Sequence, residues 1–464
     1  MAQINKPGEH FNTVLYTGNG NTNTGITGVG FKPDWTWIKS RNSGSYNNFL
    51  FDIIRGATKY MKSDAISAQN TLAESLKSFD SDGFTVGTEA DVNNNTTTYA
   101  AWNWKAAGSS PSNTYVVKVV SDSGNKYRFD DFGTSAVTLE LSEGGTYTFD
   151  QSDNSNSGHP IRFSTTSDGT HGGGSEYTTG VTTNGTPGQS GAYTRITVAA
   201  SAPTLYYYCT QHSGMGGQAN TPTTNSFSNF DGSIQSNVSP NSDSLFSIVK
   251  YTASGSNATI GHGLGTAPAM VIVKGITTEN NWRVGHDGLT SWTYRINLES
   301  TAAESSQASV WNSTAPTSSV FSIGTSSSVN DSGVEHIAYC FAPKKGFFYV
   351  GEYEGNASNE GPFCWTGFKP AMVMIKNRGA TGNWTIADNK RSSSGGTNVL
   401  DERLFPSDPQ AASTGFANID TYSNGFKVRQ GSDGGVNSSG VDYIFAAWAE
   451  SPLVGTNNIP TTAR

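Results

Sequence analysis

The feature that most constrains this chain is a threefold internal repetition. Phe11-x-x-Val14-x-Tyr16 is followed, seventeen residues after the tyrosine, by Pro33-Asp-Trp-Thr-Trp-Ile-Lys39. The frame returns as Phe246-x-x-Val249-x-Tyr251 with Pro268-Ala-Met-Val-Ile-Val-Lys274. It returns again as Phe348-x-x-Gly351-x-Tyr353 with Pro370-Ala-Met-Val-Met-Ile-Lys376. Each unit closes alike: Val92-Asn93 leads to Tyr99 and Trp104, Val329-Asn330 to His336 and Phe341, Val436-Asn437 to Tyr443 and Trp448. The Pro-to-Val spacings are 59, 61 and 66 residues, so length varies in the middle of each unit, where loops tolerate it. A period near one hundred residues is too long for a solenoid repeat or a propeller blade. Each unit therefore reads as a domain with its own core.

Within a unit the pattern is that of short strands. Trp35 and Trp37 alternate with other residues after a strand-opening proline, the signature of a half-buried strand. Ser78-Phe-Asp-Ser-Asp-Gly83 and Ser423-Asn-Gly425 read as turns feeding further strands, and Tyr99-Ala-Ala-Trp102-Asn-Trp104 as an aromatic closing strand. Only Ser67–Leu76, with its alanine-rich spacing, predicts a brief helix. The expected fold class is all-β: serial β-sandwich, jelly-roll-like domains, with a compact barrel as the next choice.

A segment of different texture separates the first and second units. It carries strand-like runs at Thr114–Val120, Val137–Leu141, Tyr147–Phe149, Arg195–Val198 and Leu205–Cys209. Pro/Ser/Thr/Asn-rich stretches border it, and residues 223–243 read as a polar linker. The expected organisation is repeat 1 over 1–110, an inserted β-sandwich over 111–222, the linker over 223–243, repeat 2 over 244–345 and repeat 3 over 346–464.

Composition removes several function classes. Charged residues are 14% of the chain, against about 25% in an average soluble protein. The net charge is −8 with no Lys/Arg cluster, which argues against a nucleic-acid partner. No apolar run approaches the roughly 18 residues of a membrane span, and the first residues lack the apolar stretch of a secretion signal. Three cysteines exclude a disulfide scaffold. The chain reads as made in a cytoplasm, whatever its final location.

One constellation carries obvious chemistry. Cys209-Thr-Gln-His212-Ser-Gly-Met215 puts a thiolate, an imidazole and a thioether in one short loop leaving a strand, and His159 opens another strand fifty residues earlier. Two histidines, one cysteine and a weak axial methionine form the donor set that copper prefers for electron transfer. Zinc is the other option, with His159, Cys209, His212 and either His171 or water, but Met215 then has no role. Segment 114–216 resembles a cupredoxin, the blue-copper domain, and its Cys-x-x-His-x-x-Met loop has the spacing seen in amicyanin. Gly158-His-Pro-Ile-Arg-Phe163 is similar to that family's first-ligand strand. The resemblance implies a Greek-key sandwich with His159, Cys209, His212 and Met215 as metal ligands and copper, in a type 1-like site, as the cofactor.

The remaining candidates have structural explanations. Lys39, Lys274 and Lys376 end the same strand in all three units and read as cations covering it with their stems. Asp80-Ser-Asp82-Gly83 begins like a calcium loop but lacks the later ligands. Trp35, Trp37, Trp102 and Trp104 could stack on sugars, although their strand periodicity favours the core. His336 reads as an aromatic substitute, and Cys340 and Cys364 as inert buried thiols. No nucleophile elbow, phosphate loop or HExxH motif occurs, and no enzymatic activity is expected.

The repeat also resembles a domain recurring in virion proteins of marine tailed bacteriophages, through Gly30-Phe-Lys-Pro-Asp-Trp-Thr-Trp-Ile-Lys-Ser-Arg41, Phe51–Tyr60, Ser78–Phe84 and Ala100–Lys105. It implies a non-enzymatic structural or adhesive protein of the virion, forming or decorating a tail or head fibre. The implied partners are further copies of the chain, with a trimer favoured, other virion proteins, and a host-surface glycan or receptor. No nucleic-acid or membrane-inserted role is expected. Two alternatives are a copper electron-transfer protein and a carbohydrate-binding, lectin-like protein.

Overall fold

A computed structural model describes residues 3–107, 110–391, 398–431 and 433–452. Gly108 and Ser109 of the expected first border and residues 453–464 of the third repeat lie outside the described residues. The protein is all-β, with only short helical turns such as Ala90–Asn93, Ala308–Trp311 and Ser327–Asn330. It divides into two compact units, one of residues 1–106, 241–258 and 264–464, the other of residues 107–240 and 259–263.

The larger unit holds the three repeats except residues 259–263 of repeat 2. In each, the strand after the repeated proline (Trp35–Ser40, Met270–Gly275, Pro370–Asn377) pairs antiparallel with the closing strand (Thr98–Trp104, Glu335–Phe341, Asp442–Ala449). The opening strand (Phe11–Thr17, Phe246–Thr252, Phe348–Glu354) pairs along the other side of the closing strand. Repeat 1 completes itself with a separate three-stranded sheet of Thr24–Thr27, Gly83–Val86 and Leu76–Asp80. In repeat 3 the corresponding strands continue one eight-stranded sheet, whose two end strands, Phe348–Glu354 and Phe363–Trp365, come into contact in a near-barrel.

The recurring Tyr and Val-Asn positions prove to be one clamp. Tyr16, Tyr251 and Tyr353 each donate from Oη to the carbonyl of Val92, Val329 and Val436, at 2.7, 2.6 and 2.7 Å. The asparagine that follows, Asn93, Asn330 or Asn437, is buried and donates back to its own turn at Gly87, Gly324 or Gln430, each at 2.7 Å. Burying an amide is favourable only when its hydrogen bonds are met, so the pair recurs as a set.

The central strands differ from the expected half-buried pattern: Trp35–Ser40 and Met270–Gly275 are buried at every residue. One face of repeat 1 and one of repeat 3 each meet a core of their own, with Ile38, Phe49, Tyr99 and Ala101 in repeat 1 and Val373, Ile419, Tyr443 and Phe445 in repeat 3. The other face joins a core common to all three, built from Trp35, Trp102 and Trp104, from Ile272, Tyr339 and Phe341, and from Met374 and Trp448. Trp35 stacks on Tyr339 with ring centroids 4.3 Å apart, and Trp104 meets Trp448 edge-on at 5.6 Å. The four tryptophans of repeat 1 are thus core residues.

Two sets of side-chain contacts between repeats run in one cyclic sense. The Lys39 ammonium, with its neighbours' carbonyls, is not a surface cation as expected but buried, donating to Pro409 of repeat 3 at 2.8 Å. Lys376 donates to Thr301 of repeat 2 at 2.9 Å, and Lys274 to Ile66 of repeat 1 at 3.0 Å. Burial draws all three ammonium groups down to about 8. The same circuit repeats one strand further out: Asn48 donates to Phe405 at 3.0 Å, Trp384 to Asn297 at 2.8 Å and Trp282 to Lys62 at 2.8 Å.

A third set of contacts lies at the ends of the strands Phe49–Asp52, Arg283–His286 and Thr385–Asp388. Trp102 Nε1 donates to Asp388 at 2.9 Å and Tyr339 Oη to Asp52 at 2.8 Å. Both carboxylates form buried ion pairs three residues along, Asp52 with Arg55 and Asp388 with Arg391. Repeat 2 has His286 and Leu289 in their places. Ala446 offers that seam no side-chain donor, and the His286 ring instead bonds the Phe445 carbonyl from Nε2 at 3.1 Å, while Nδ1 accepts from Gly288 N at 2.9 Å.

Two further expectations change. Ser67–Leu76 forms no helix. A run this short is marginal as a helix alone, and Asn70–Thr71 instead pairs with Lys59–Tyr60 while Gln69 N bonds the Ile276 carbonyl at 2.8 Å. The polar segment 223–243 carries the strands Phe227–Asn229 and Ser236–Asn241, because Phe230 enters the core of the smaller unit and buried Ser228 and Ser236 find partners within it.

The smaller unit is a sandwich of two sheets. One has five strands, in the order Asn125–Phe129, Ser112–Ser121, Thr146–Asp150, Tyr193–Thr197 and Val181–Asn184. The other has four, in the order Leu139–Glu140, Gly217–Asn220, Leu205–Cys209 and Ile161–Ser164. Alternating residues from both, including Tyr115, Phe129, Phe149, Phe163, Ile196 and Tyr207, fill the space between them.

The His286 seam makes stability sensitive to acid. Burial pulls this imidazole down to about 4, so between pH 6.5 and 4 the unfolded chain binds a proton that the folded chain refuses. Its contribution is complete above pH 6.5 and is lost as pH falls. The stability gap between wild type and His286→Gln, measured by urea unfolding, is expected to narrow by about 3 kcal/mol across that window.

Candidate metal site

The smaller unit brings three of the four expected ligands together. Cys209 ends the strand Leu205–Cys209 and lies opposite Ile161 in the neighbouring strand Ile161–Ser164. His159 stands two residues before Ile161, so the pairing carries it to the cysteine. His212 returns through the loop after Cys209. Both imidazoles turn Nδ1 to the Cys209 sulfur, His159 at 3.9 Å and His212 at 3.8 Å. All three ligand atoms lie within 4.8 Å of one another, with Cys209 buried, His159 half-buried and His212 exposed.

The surroundings hold this geometry in place. Gln151 donates from Nε2 to the His159 carbonyl at 2.8 Å and accepts from Ile161 N at 3.1 Å, bracketing the histidine on both sides. Tyr127 Oη donates to the same carbonyl at 2.9 Å. The backbone N–H of Gln211 points at the cysteine sulfur at 3.4 Å, a donor suited to a thiolate. Gly216 lies against the Tyr207 carbonyl, where an added Cβ would come within 1.7 Å, and only glycine lets the loop rejoin the sheet there. Burial, with His212 beside it, lowers the His159 pKa and favours the neutral imidazole that a metal requires.

The other expected residues fall as follows. Met215 is buried in the sandwich core, and its carbonyl accepts from Tyr127 N at 3.0 Å. His171, the alternative zinc ligand, instead turns Nε2 to the Cys209 carbonyl at 3.0 Å. Asp82 caps Gly28 N and Gly30 N, and Asp80 binds Ser78 and Thr85, so both serve turns. His336 is buried and stacked on Tyr251, with centroids 5.4 Å apart. Cys340 and Cys364 are buried, and burial raises both thiols far above their ordinary value. Sequence reasoning overlooked Gln151 and Tyr127, which no residue pattern marks. It also overlooked the Asp-x-x-Arg pairs, which recur at Asp52 and Asp388 in matching places.

The family described as "Domain of unknown function (DUF7483)" matches residues 6–128 and 217–452. That is more than three quarters of the chain, and the chain belongs to this family. No curated protein and no solved structure matches it. The family match covers the three repeats and skips 129–216, the stretch holding His159, Cys209, His212 and Met215.

Replacing Gln151 with leucine strands the Ile161 N–H and leaves the His159 carbonyl with Tyr127 Oη alone of these two donors. The expected loss is about 1–3 kcal/mol in urea unfolding, the range for buried polar groups left without a partner.

Proposed function

We propose that this chain is a non-enzymatic structural protein of a phage particle, part of an exposed appendage that meets the host surface or other virion proteins. The observation that carries the reading is the closed circuit of the three repeats. Each repeat gives one sheet face to the common aromatic core and reaches the next through buried lysine, tryptophan and asparagine donors. Such a body suits an exposed mechanical part, since local opening of one repeat uncovers apolar surface of the other two. The seams that a homotrimer places between copies are supplied here within one chain. Any association of copies, the favoured trimer included, would use outer surfaces. Low charge agrees with work in salty surroundings, where screening leaves little to surface electrostatics. Antibody raised against the purified chain is expected to label intact particles in electron micrographs. Label confined to the particle-free fraction of the lysate would refute the assignment.

A second reading is favoured by the His159–Cys209–His212 cluster: the insert holds one copper ion. Metal bonds of about 2.0 Å to nitrogen and 2.3 Å to sulfur reach at most about 4.3 Å from nitrogen to sulfur, and the spacings of His159 and His212 from Cys209, 3.9 and 3.8 Å, fall within that reach. The mixed imidazole and thiolate set suits copper, with Met215 as the remaining donor in its loop. Copper held there would supply one-electron redox chemistry. Cys209 provides the thiolate, Gln211 N–H steadies it, and Gln151 and Tyr127 hold the His159 backbone. One equivalent of copper(II) added to metal-free protein should produce an intense visible absorption. Cys209→Ser should abolish that band, whereas His171→Ala should leave it, which separates this set from the zinc alternative.

A further inference from the structure

We propose that the outer face of repeat 3 around Phe363 and Trp365 is a carbohydrate-binding platform for neutral or N-acetylated hexopyranoses. The inference rests on the adhesive reading above and names the chemistry that such contact would use. Among the described residues Trp365 and Phe363 are the most exposed large apolar side chains, at 55% and 48%. They alternate on the strand Phe363–Trp365, so both rings stand on one face, while Cys364 between them points into the core.

The three repeats supply an internal control. Cys364 pairs with Phe426 as Ile26 pairs with Phe84 in repeat 1, which puts Gly25 and Thr27 where repeat 3 has Phe363 and Trp365. In repeat 2 the strand Ala258–Gly261 offers Thr259 and Gly261 on either side of buried Ile260. The scaffold therefore forms without aromatic rings at these places, and packing does not account for them.

The neighbouring strands turn the rings into a mixed surface. The register sets Phe363, Lys427 and Asp420 in one row across the sheet and Trp365, Gly425 and Tyr422 in the next. Phe363 lies over Gly425, where a Cβ would come within 2.8 Å of its ring, and meets Tyr422 edge-on at 5.9 Å. Tyr349 braces Trp365 from the side at 5.3 Å. Beside the rings runs a charge network: Lys427 and Arg429 share Glu360 at 2.6 and 2.8 Å, and Arg429 also reaches Asp420 at 3.4 Å.

That combination points to a sugar. A pyranose has an apolar C–H face that stacks on an aromatic ring and a rim of hydroxyls that both donate and accept. Rings flanked by carboxylates and cations meet both demands on one face of the sheet. A phosphate-bearing partner would call for cations without carboxylates, whereas Lys427 and Arg429 are each already paired.

The test is an array of neutral and N-acetylated hexopyranose oligosaccharides probed with the full chain, followed by titration of the best binder. Trp365→Ala and Phe363→Ala should each weaken binding at least tenfold, while Leu15→Ala, at another exposed apolar site, should leave it unchanged. Bound sugar should also shield tryptophan fluorescence from iodide in wild type but not in Trp365→Ala. Absence of binding across the array, or binding that ignores both substitutions, overturns the proposal. So does a wild-type dimer that Trp365→Ala converts to monomer without any sugar binding, since the face would then join two copies. Particles that label with antibody while the chain binds no sugar refute this site alone. Sugar binding by a chain absent from particles refutes the particle assignment and leaves the site.

Discussion

Everything in the larger unit depends on burying both faces of the same three sheets. A strand covered on both sides has no solvent-facing residues to take its polar groups, so most of its buried polar side chains find partners within the protein, the indole N–H groups of Trp35, Trp104 and Trp448 being among the exceptions. Thr36 solves this by bonding Asn103 across the pair at 3.0 Å, and the three lysines by placing their ammonium groups among carbonyls of two repeats. Large aromatic side chains then fill the space between the repeats, where their area contributes most to apolar burial. The lysine circuit and the circuit of Asn48, Trp384 and Trp282 add direction to that burial, because in both each repeat donates to one neighbour and accepts from the other.

The third set of contacts tolerates exchange of parts when the exchange is complete. Repeats 1 and 3 place a buried carboxylate at the seam and neutralise it with an arginine three residues on. Repeat 2 replaces carboxylate and arginine together, by His286 and Leu289, and leaves no uncompensated charge. This agrees with the energetics of buried ion pairs. Removing one partner is costly, whereas replacing both can be neutral. The price of the exchange is a seam whose integrity depends on one neutral imidazole.

The smaller unit follows a different logic. Its sandwich has an aromatic core of its own, and its polar interest lies at one end, where two strands deliver His159 and Cys209 side by side. That stretch falls outside the family match while the repeats fall within it. The donor cluster thus lies in the part of the chain that the family match skips.

Much of this was legible in the sequence, and the limit is physical. Local spacing determined the three repeats, their strand character and the turn chemistry of Asp80 and Asp82, because strands and turns are set by near neighbours. The Cys209, His212 and Met215 spacing marked a candidate site, and chemical type alone paired His159 with it; the structure sets His159 and His212 beside Cys209. What the opposite face of each strand would meet was decided only by tertiary structure. Trp35 alternates as a half-buried residue would, and nothing in one repeat says that a second repeat covers it. The lysines looked like surface cations for the same reason, as their carbonyl partners lie in another repeat. Conversely, Phe363 and Trp365 have the strand pattern of core residues, and their exposure follows only from the side of the sheet on which the register places them. Sequence records which residues alternate. Packing alone chooses which side of the alternation meets protein and which meets water.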